Sequence, residues 1–129
     1  MWEDCQARLC GIVEPGKGIM SPIDERPIIA ITTGDPAGIG PEIVAAAWSN
    51  PTVHEICRPV VVGYSEFLRR AAALRRLQLQ ITCCDEPARA QASPETLVCI
   101  PPGDDHAPSV QMGRIDPKAG QAAYEAILL

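Results

Sequence analysis

The chain has 129 residues, 47% of them apolar, and a formal net charge of −5 at pH 7. That length suits one modest domain or a piece of a larger one, and the acidic balance argues against a nucleic-acid surface. Aromatic residues are only 4%, so any core must be built from Ile, Val, Leu and Ala.

Residues 1–26 lack periodicity, carry Pro15, Gly16, Gly18 and Pro22, and mix charges. They read as a disordered leader, or as a start placed too early, because Met20 stands just before the first convincing strand. That strand is Ile28–Thr32, a continuous apolar run of the kind found where both faces are covered. Gly34–Gly40 is a tight turn. Pro41 suits the first helical position, and Glu42 follows where a negative charge favours the helix dipole. This helix, Pro41–Trp48, is expected to end near Asn50-Pro51, because the residue before a proline resists helical angles.

Pro59–Gly63 is the second strand. Ser65 is a suitable N-cap for a helix running to about Leu77, with Phe67, Ala71 and Leu74 on one buried stripe. Arg69 and Arg76 fall on the solvated side. Leu79–Cys83 and Thr96–Ile100 read as the third and fourth strands, joined by a polar loop over 85–94. A second loop follows at Pro101–Pro108. Asp116 then caps a last helix with Pro117 at its first position. That helix runs to Leu129 without a Gly or Asn to close it, so the C-terminus reads as a truncation. This order of strands and helices implies an α/β layer fold with a largely parallel sheet and helices on both faces.

The six cysteines are Cys5, Cys10, Cys57, Cys83, Cys84 and Cys99. No C-x-x-C pair exists, and Cys83 and Cys84 on one strand would point to opposite faces, a poor metal arrangement. They read as reduced thiols in a cytoplasmic compartment. The opening Met-Trp-Glu-Asp lacks the basic start of a signal peptide. No apolar run approaches the roughly 20 residues of a membrane helix.

The chemistry-bearing stretch is Gly34-Asp35-Pro36-Ala37-Gly38-Ile39-Gly40-Pro41-Glu42. Its glycines allow close backbone approach to a ligand. Asp35 suits a hydroxyl or an ammonium, and the helix N-terminus suits a phosphate. It is not a Walker A loop, because Pro41-Glu42 stands where Lys-Ser/Thr is needed. It is a poor dinucleotide fingerprint too. Ile43 occupies the third glycine position, and the second strand ends at Gly63-Tyr64 rather than at an acidic residue. A turn shaped for purely local reasons remains an open alternative. Asp104, Asp105 and His106 read as a solvated loop rather than a metal cluster, since three adjacent residues do not easily enclose one ion.

The stretch TTGDPAGIGPE, Thr32–Glu42, resembles the opening signature of the 4-hydroxythreonine-4-phosphate dehydrogenase family of vitamin B6 synthesis. PVVVGYSEFL at 59–68 resembles that family's second strand and helix. Gly113 and Gly120, leading into AAYEAILL, resemble the segment before its long helix. A shorter GDGIGPE version occurs in isopropylmalate and isocitrate dehydrogenases, which share the fold. The resemblance implies that residues 27–129 are the incomplete N-terminal part of an isocitrate/isopropylmalate dehydrogenase-like α/β domain, truncated at the C-terminus.

The resemblance also implies an oxidoreductase dependent on NAD or NADP and on a divalent metal. It would oxidise the secondary hydroxyl of 4-phosphohydroxy-L-threonine and allow decarboxylation, in pyridoxine and pyridoxal phosphate synthesis. The full enzyme would be a cytoplasmic homodimer with its site in a cleft between two domains, binding a phosphorylated hydroxy acid and neither nucleic acid nor membrane. Family metal ligands are histidines, and neither His54 nor His106 matches a ligand position, so no catalytic or metal residue carries over. Only the turn transfers, with Gly34, Asp35, Gly38 and Gly40 as cleft-lining, cofactor-binding residues. The chain alone is expected to be inactive. The alternatives are a related dehydrogenase of a four-carbon sugar-acid phosphate, or a non-catalytic truncated or phosphate-binding module.

Overall fold

A computed structural model of the protein describes residues 24–129. The leader expected over 1–26, apart from Asp24–Arg26, lies outside the described residues, as do Met20, Cys5 and Cys10.

The first strand, β1, is Ile28–Thr32, and the first helix, α1, is Gly40–Trp48, with Pro41 and Glu42 in its first turn. A second helix, α2, covers Pro51–Ile56. Helix α1 ends just before Asn50-Pro51, as the sequence reading expects, and the same dipeptide then starts another helix. The Asn50 side chain accepts a bond of 3.1 Å from the Thr52 N–H, and Pro51 occupies a position whose N–H would have no partner anyway. His54 is therefore helical and buried. Its Nε2–H donates to the Trp48 carbonyl at 2.8 Å, and its ring meets the Trp48 indole edge-on at 5.2 Å.

Strand β2 is Arg58–Val62, and helix α3 is Ser65–Leu74. Strand β3 is Gln80–Cys83, and strand β4 is Thr96–Ile100. Helix α4 is Pro117–Leu128, capped by Asp116, whose Oδ1 accepts from the Lys118 N–H at 2.9 Å. The four strands form one all-parallel sheet in the order β1-β2-β4-β3. Its register sets Ile28 beside Arg58, Val61 beside Cys99 and Cys83 beside Cys99.

The main core gathers Trp48, Val61, Leu68, Leu97 and Cys99, with Val44, Leu79 and Ile81 packed around them. The Trp48 Nε1–H donates to the Ser93 and Thr96 carbonyls, at 2.8 and 3.2 Å. Burying an indole supplies apolar area and leaves one donor to satisfy, and these carbonyls satisfy it. A smaller cluster holds Tyr64, Phe67 and Ala122, so α4 docks on α3. The Tyr64 hydroxyl donates to Glu125 Oε2 at 2.8 Å.

Two burial expectations are corrected. Strand β1 is apolar but not covered on both faces, since Ile28 and Ile29 are 40% and 44% exposed. It is an edge of the sheet, and the core helices pack over β2 and β4 instead. Leu74 shares a stripe with Phe67 and Ala71 yet is 56% exposed, because α3 stops there and Arg76 turns away at φ 55°. The inward stripe is Phe67, Leu68, Ala71 and Ala72.

Trp48→Ala is expected to cost about 3–5 kcal/mol in urea unfolding, and a cost near zero would place the indole outside the folded core. Burial, helped by the Glu125 carboxylate, pushes the Tyr64 phenol up to about 12. A raised folded value means that this stabilisation is complete below the ordinary tyrosine value, about 10, and is lost as pH climbs from there through about 12. The stability-versus-pH curve should fall across that window and flatten in Tyr64→Phe.

Candidate functional site

All four parallel strands deliver the chain to one edge, and ligands of parallel sheets bind beyond the carboxyl ends of the strands. Three segments meet there: the Thr33–Ile39 turn after β1, Gly63-Tyr64 after β2, and the Pro101–His106 loop after β4.

The turn is held from several sides. Thr33 is buried, and its N–H donates to the Val62 carbonyl at 3.2 Å. Asp35 Oδ1 accepts from the Ala37 N–H at 2.8 Å, and the Asp35 carbonyl accepts from the Gly38 N–H at 3.0 Å. Much of the Asp35 carboxylate's work is thus local, fixing the turn as aspartates do in loops. The Gly113 N–H donates to the Ala37 carbonyl at 2.8 Å. Arg70 reaches across from α3, donating through Nη2 to the Pro36 carbonyl at 2.6 Å and through Nη1 to the Val110 carbonyl at 3.2 Å. Its guanidinium also lies 5.2 Å from the centre of the Phe67 ring.

Two glycines have separate reasons. A Cβ on Gly40 would sit 2.3 Å from the Thr33 carbonyl oxygen, so only glycine lets α1 start this close to the end of β1. Gly34 adopts φ +66°, a region that side chains disfavour, and open space lies where its Cβ would be. Gly34, Asp35, Gly38 and Gly40 therefore share one rigid turn with an open side.

The charge balance at this turn is mixed. No side chain caps the N-terminus of α1, which leaves amide donors free. In the same first turn Glu42 Oε2 is buried without a hydrogen-bond partner among the described residues. The helix dipole favours that carboxylate, and a buried unpaired oxygen favours a ligand that brings a hydrogen-bond donor.

Behind the edge lies a second polar group. Asp105 Oδ1 accepts from the Ser65 N–H at 3.0 Å, and the Ser65 hydroxyl donates to Oδ2 of the same carboxylate. The N-cap role expected of Ser65 thus belongs to Asp105, forty positions away, with Ser65 as the first helical residue. Arg69 Nη1 donates to Ser65 Oγ at 2.7 Å. Asp104 and His106 are exposed while Asp105 turns inward. Among the described residues no three His, Cys, Asp or Glu side chains are grouped to hold a metal ion.

A cavity of about 330 Å³ opens near the start of β2, at the opposite end of the sheet, lined by Arg26, His54 and Arg58 among others. Asp24 pairs with both arginines, at 2.5 and 3.7 Å, so its one carboxylate offsets one of the two guanidinium charges there.

Arg70, Asp105 and Glu42 shape this edge; Glu42 lies in the turn that the sequence reading singled out, whereas neither Arg70 nor Asp105 was read as a site residue. Arg70 carried a signal, because it lies three residues after Phe67 and so falls beside the buried stripe. Asp105 had none, since its partner is distant in the chain.

Gly40→Ala should destabilise by about 1–3 kcal/mol through backbone overlap. Asp105→Ala should cost about 1–2 kcal/mol as the α3 cap is lost. Chemical unfolding reads both, and a neutral Gly40→Ala would mean that the α1 start is not in contact with Thr33.

No protein-family model matches the chain. Among curated proteins it is 36% identical over 104 residues to a 4-hydroxythreonine-4-phosphate dehydrogenase of Desulforapulum autotrophicum, a match covering 81% of this chain and 31% of the relative. It is 37% identical over 107 residues to a protein of Symbiobacterium thermophilum provisionally named D-threonate 4-phosphate dehydrogenase, with the same coverage of 81% and 31%. Among solved structures, a 4-hydroxythreonine-4-phosphate dehydrogenase from Burkholderia phymatum superposes with a TM-score of 0.73 at 32% identity, over 79% of this chain and 31% of that one. The enzyme of the same name from Klebsiella pneumoniae gives 0.67 at 34% identity, over 80% and 31%. Across about four-fifths of its length the chain is similar in sequence and in backbone to 4-hydroxythreonine-4-phosphate dehydrogenases, and it spans about 31% of the length of those relatives.

Proposed function

We propose that this chain is the N-terminal part of an NAD(P)- and divalent-metal-dependent dehydrogenase acting on 4-phosphohydroxy-L-threonine, on the route to pyridoxal phosphate. The observation that carries this reading is the joint similarity, 36% identity over 104 residues with a TM-score of 0.73 to a solved enzyme of that name. Residues 27–129 then form the first part of one α/β domain. The assembled enzyme is a cytoplasmic homodimer. No helix among the described residues is long and apolar enough to cross a membrane.

In this reading Gly34, Asp35, Gly38 and Gly40 line the cofactor side of the cleft. Two features support it. The open space at Gly34 admits close approach of a ligand to the backbone, and the uncapped start of α1 offers donors to a phosphate-bearing cofactor. The nicotinamide supplies a hydride acceptor when bound. Arg70 and the Gly113 N–H hold the turn in place from behind, so its amides need no reordering when a ligand arrives. Glu42 offers its free oxygen to a hydroxyl or an amine.

For the metal the described residues do not fit. They hold no ligand group, and His54 already spends its Nε2 on the Trp48 carbonyl. Its ligands are therefore expected from outside the described residues, and the 129-residue chain alone is expected to be inactive.

The second reading is a dehydrogenase of a four-carbon sugar-acid phosphate. The Symbiobacterium relative, named for D-threonate 4-phosphate, supports it, matching at 37% identity over 107 residues.

The purified chain should reduce neither NAD nor NADP with 4-phosphohydroxy-L-threonine or D-threonate 4-phosphate, with or without added divalent metal. Metal-dependent turnover would overturn the inactivity, and the preferred substrate would choose between the two readings. The intact mass of the protein from its own cells should exceed the 13.8 kDa of this chain. A mass of that size would refute the larger enzyme.

A further inference from the structure

We propose that Cys83 and Cys99 form a peroxide-responsive dithiol that closes to a disulfide across β3 and β4. The two residues stand opposite each other in the parallel register, and their sulfurs are 3.5 Å apart. Neighbouring strands lie about 4.8 Å apart, inside the roughly 4.4–6.8 Å between Cα atoms that a disulfide bridges. Closure therefore needs side-chain rotation, without strand movement.

The surroundings divide the roles. Cys83 is half-buried at the carboxyl end of its strand, within reach of a small oxidant, whereas Cys99 is fully buried in the core. A hydrogen bond from the Cys99 thiol lowers the pKa of Cys83, while that same contact and burial raise the pKa of Cys99. Cys83 is thus the readier thiolate and Cys99 the resolving thiol. Asp105 Oδ2 lies 3.5 Å from the Cys83 sulfur and opposes its ionisation, while Ser65, whose hydroxyl oxygen accepts from Arg69, anchors that carboxylate from α3. Cys84 is adjacent in sequence, its N–H donates to the Cys99 carbonyl at 2.9 Å, and burial raises its pKa. Cys57 is remote, its thiol donating to the Val53 carbonyl.

The chemistry balances with hydrogen peroxide as oxidant. The Cys83 thiolate attacks one peroxide oxygen, the O–O bond breaks, and the departing hydroxide takes a proton to become water. Cys83 is then a sulfenic acid. The Cys99 sulfur attacks the Cys83 sulfur, the S–O bond breaks, and the oxygen leaves as a second water, carrying the Cys99 proton. Two thiols and one peroxide become one disulfide and two waters. A small dithiol reverses the step by exchange. Closure draws the Cys83 sulfur off Asp105, so oxidation at the sheet edge is felt at the cap of α3.

The test treats the folded chain with an equimolar amount of hydrogen peroxide, blocks remaining thiols by alkylation, and maps the peptides by tandem mass spectrometry. The expected result is a Cys83–Cys99 cross-link that dithiothreitol removes. Cys84→Ser should keep the link. Cys99→Ser should abolish it and leave Cys83 as a sulfenic acid that dimedone traps. A chain whose Cys83 stays reduced, is driven to sulfinic acid, or links to another cysteine would overturn the proposal. Mapping of the unsubstituted chain decides this even where a variant does not fold.

Discussion

The burial of Trp48 is the constraint on which the rest of this structure depends. Its indole closes the core made by Val61, Leu68, Leu97 and Cys99, so it joins α1 to β2, α3 and β4 at once. Its N–H has to find an acceptor inside, and the carbonyls of Ser93 and Thr96 at the entry to β4 provide it. Its own carbonyl receives His54, which fixes the short helix α2 beneath it. With only 4% aromatic residues in the chain, this one side chain does much of what several would share in a richer core.

The position of α1 then sets the turn. Once Trp48 anchors the C-terminal end of α1, its N-terminal end meets the exit of β1 so closely that a side chain at Gly40 would strike the Thr33 carbonyl. Arg70 and the Gly113 N–H bind the outer carbonyls of the turn, and Asp35 binds its inner amide. The candidate site is thus rigid for reasons of packing. Among the described residues, packing leaves open the side at Gly34 and one oxygen of Glu42.

A turn shaped by local sterics and a turn shaped for a ligand carry the same glycines. Gly40 serves the fold through its contact with Thr33, whereas none of the described residues occupies the space at Gly34. Asp35, read in sequence as a ligand-binding carboxylate, spends one oxygen on the turn itself. The dehydrogenase reading therefore leans on the similarity to solved enzymes and on the open face of the turn, more than on any single polar side chain.

The sequence by itself determined the four strands, the all-important turn, the Asp116 cap and the α/β class, because these follow from short-range pattern and local sterics. Thr96–Ile100 lies where its β-branched run placed it, and Pro117 opens the last helix as expected. The N-terminal signature was also legible, since it is a contiguous string. Tertiary structure alone decided the rest. Asn50-Pro51 ends one helix and begins another, and only the hydrogen bond from His54 to the Trp48 carbonyl shows why the restart is worthwhile. The Ile28–Thr32 run is apolar, yet whether its faces are covered depends on strand order, and here β1 falls at an edge. Asp105 capping α3, Arg70 bracing the turn and Cys83 facing Cys99 all join residues far apart in the chain. Periodicity carries no information about such pairs, because their partners are fixed by how strands are ordered in space and not by spacing along the chain.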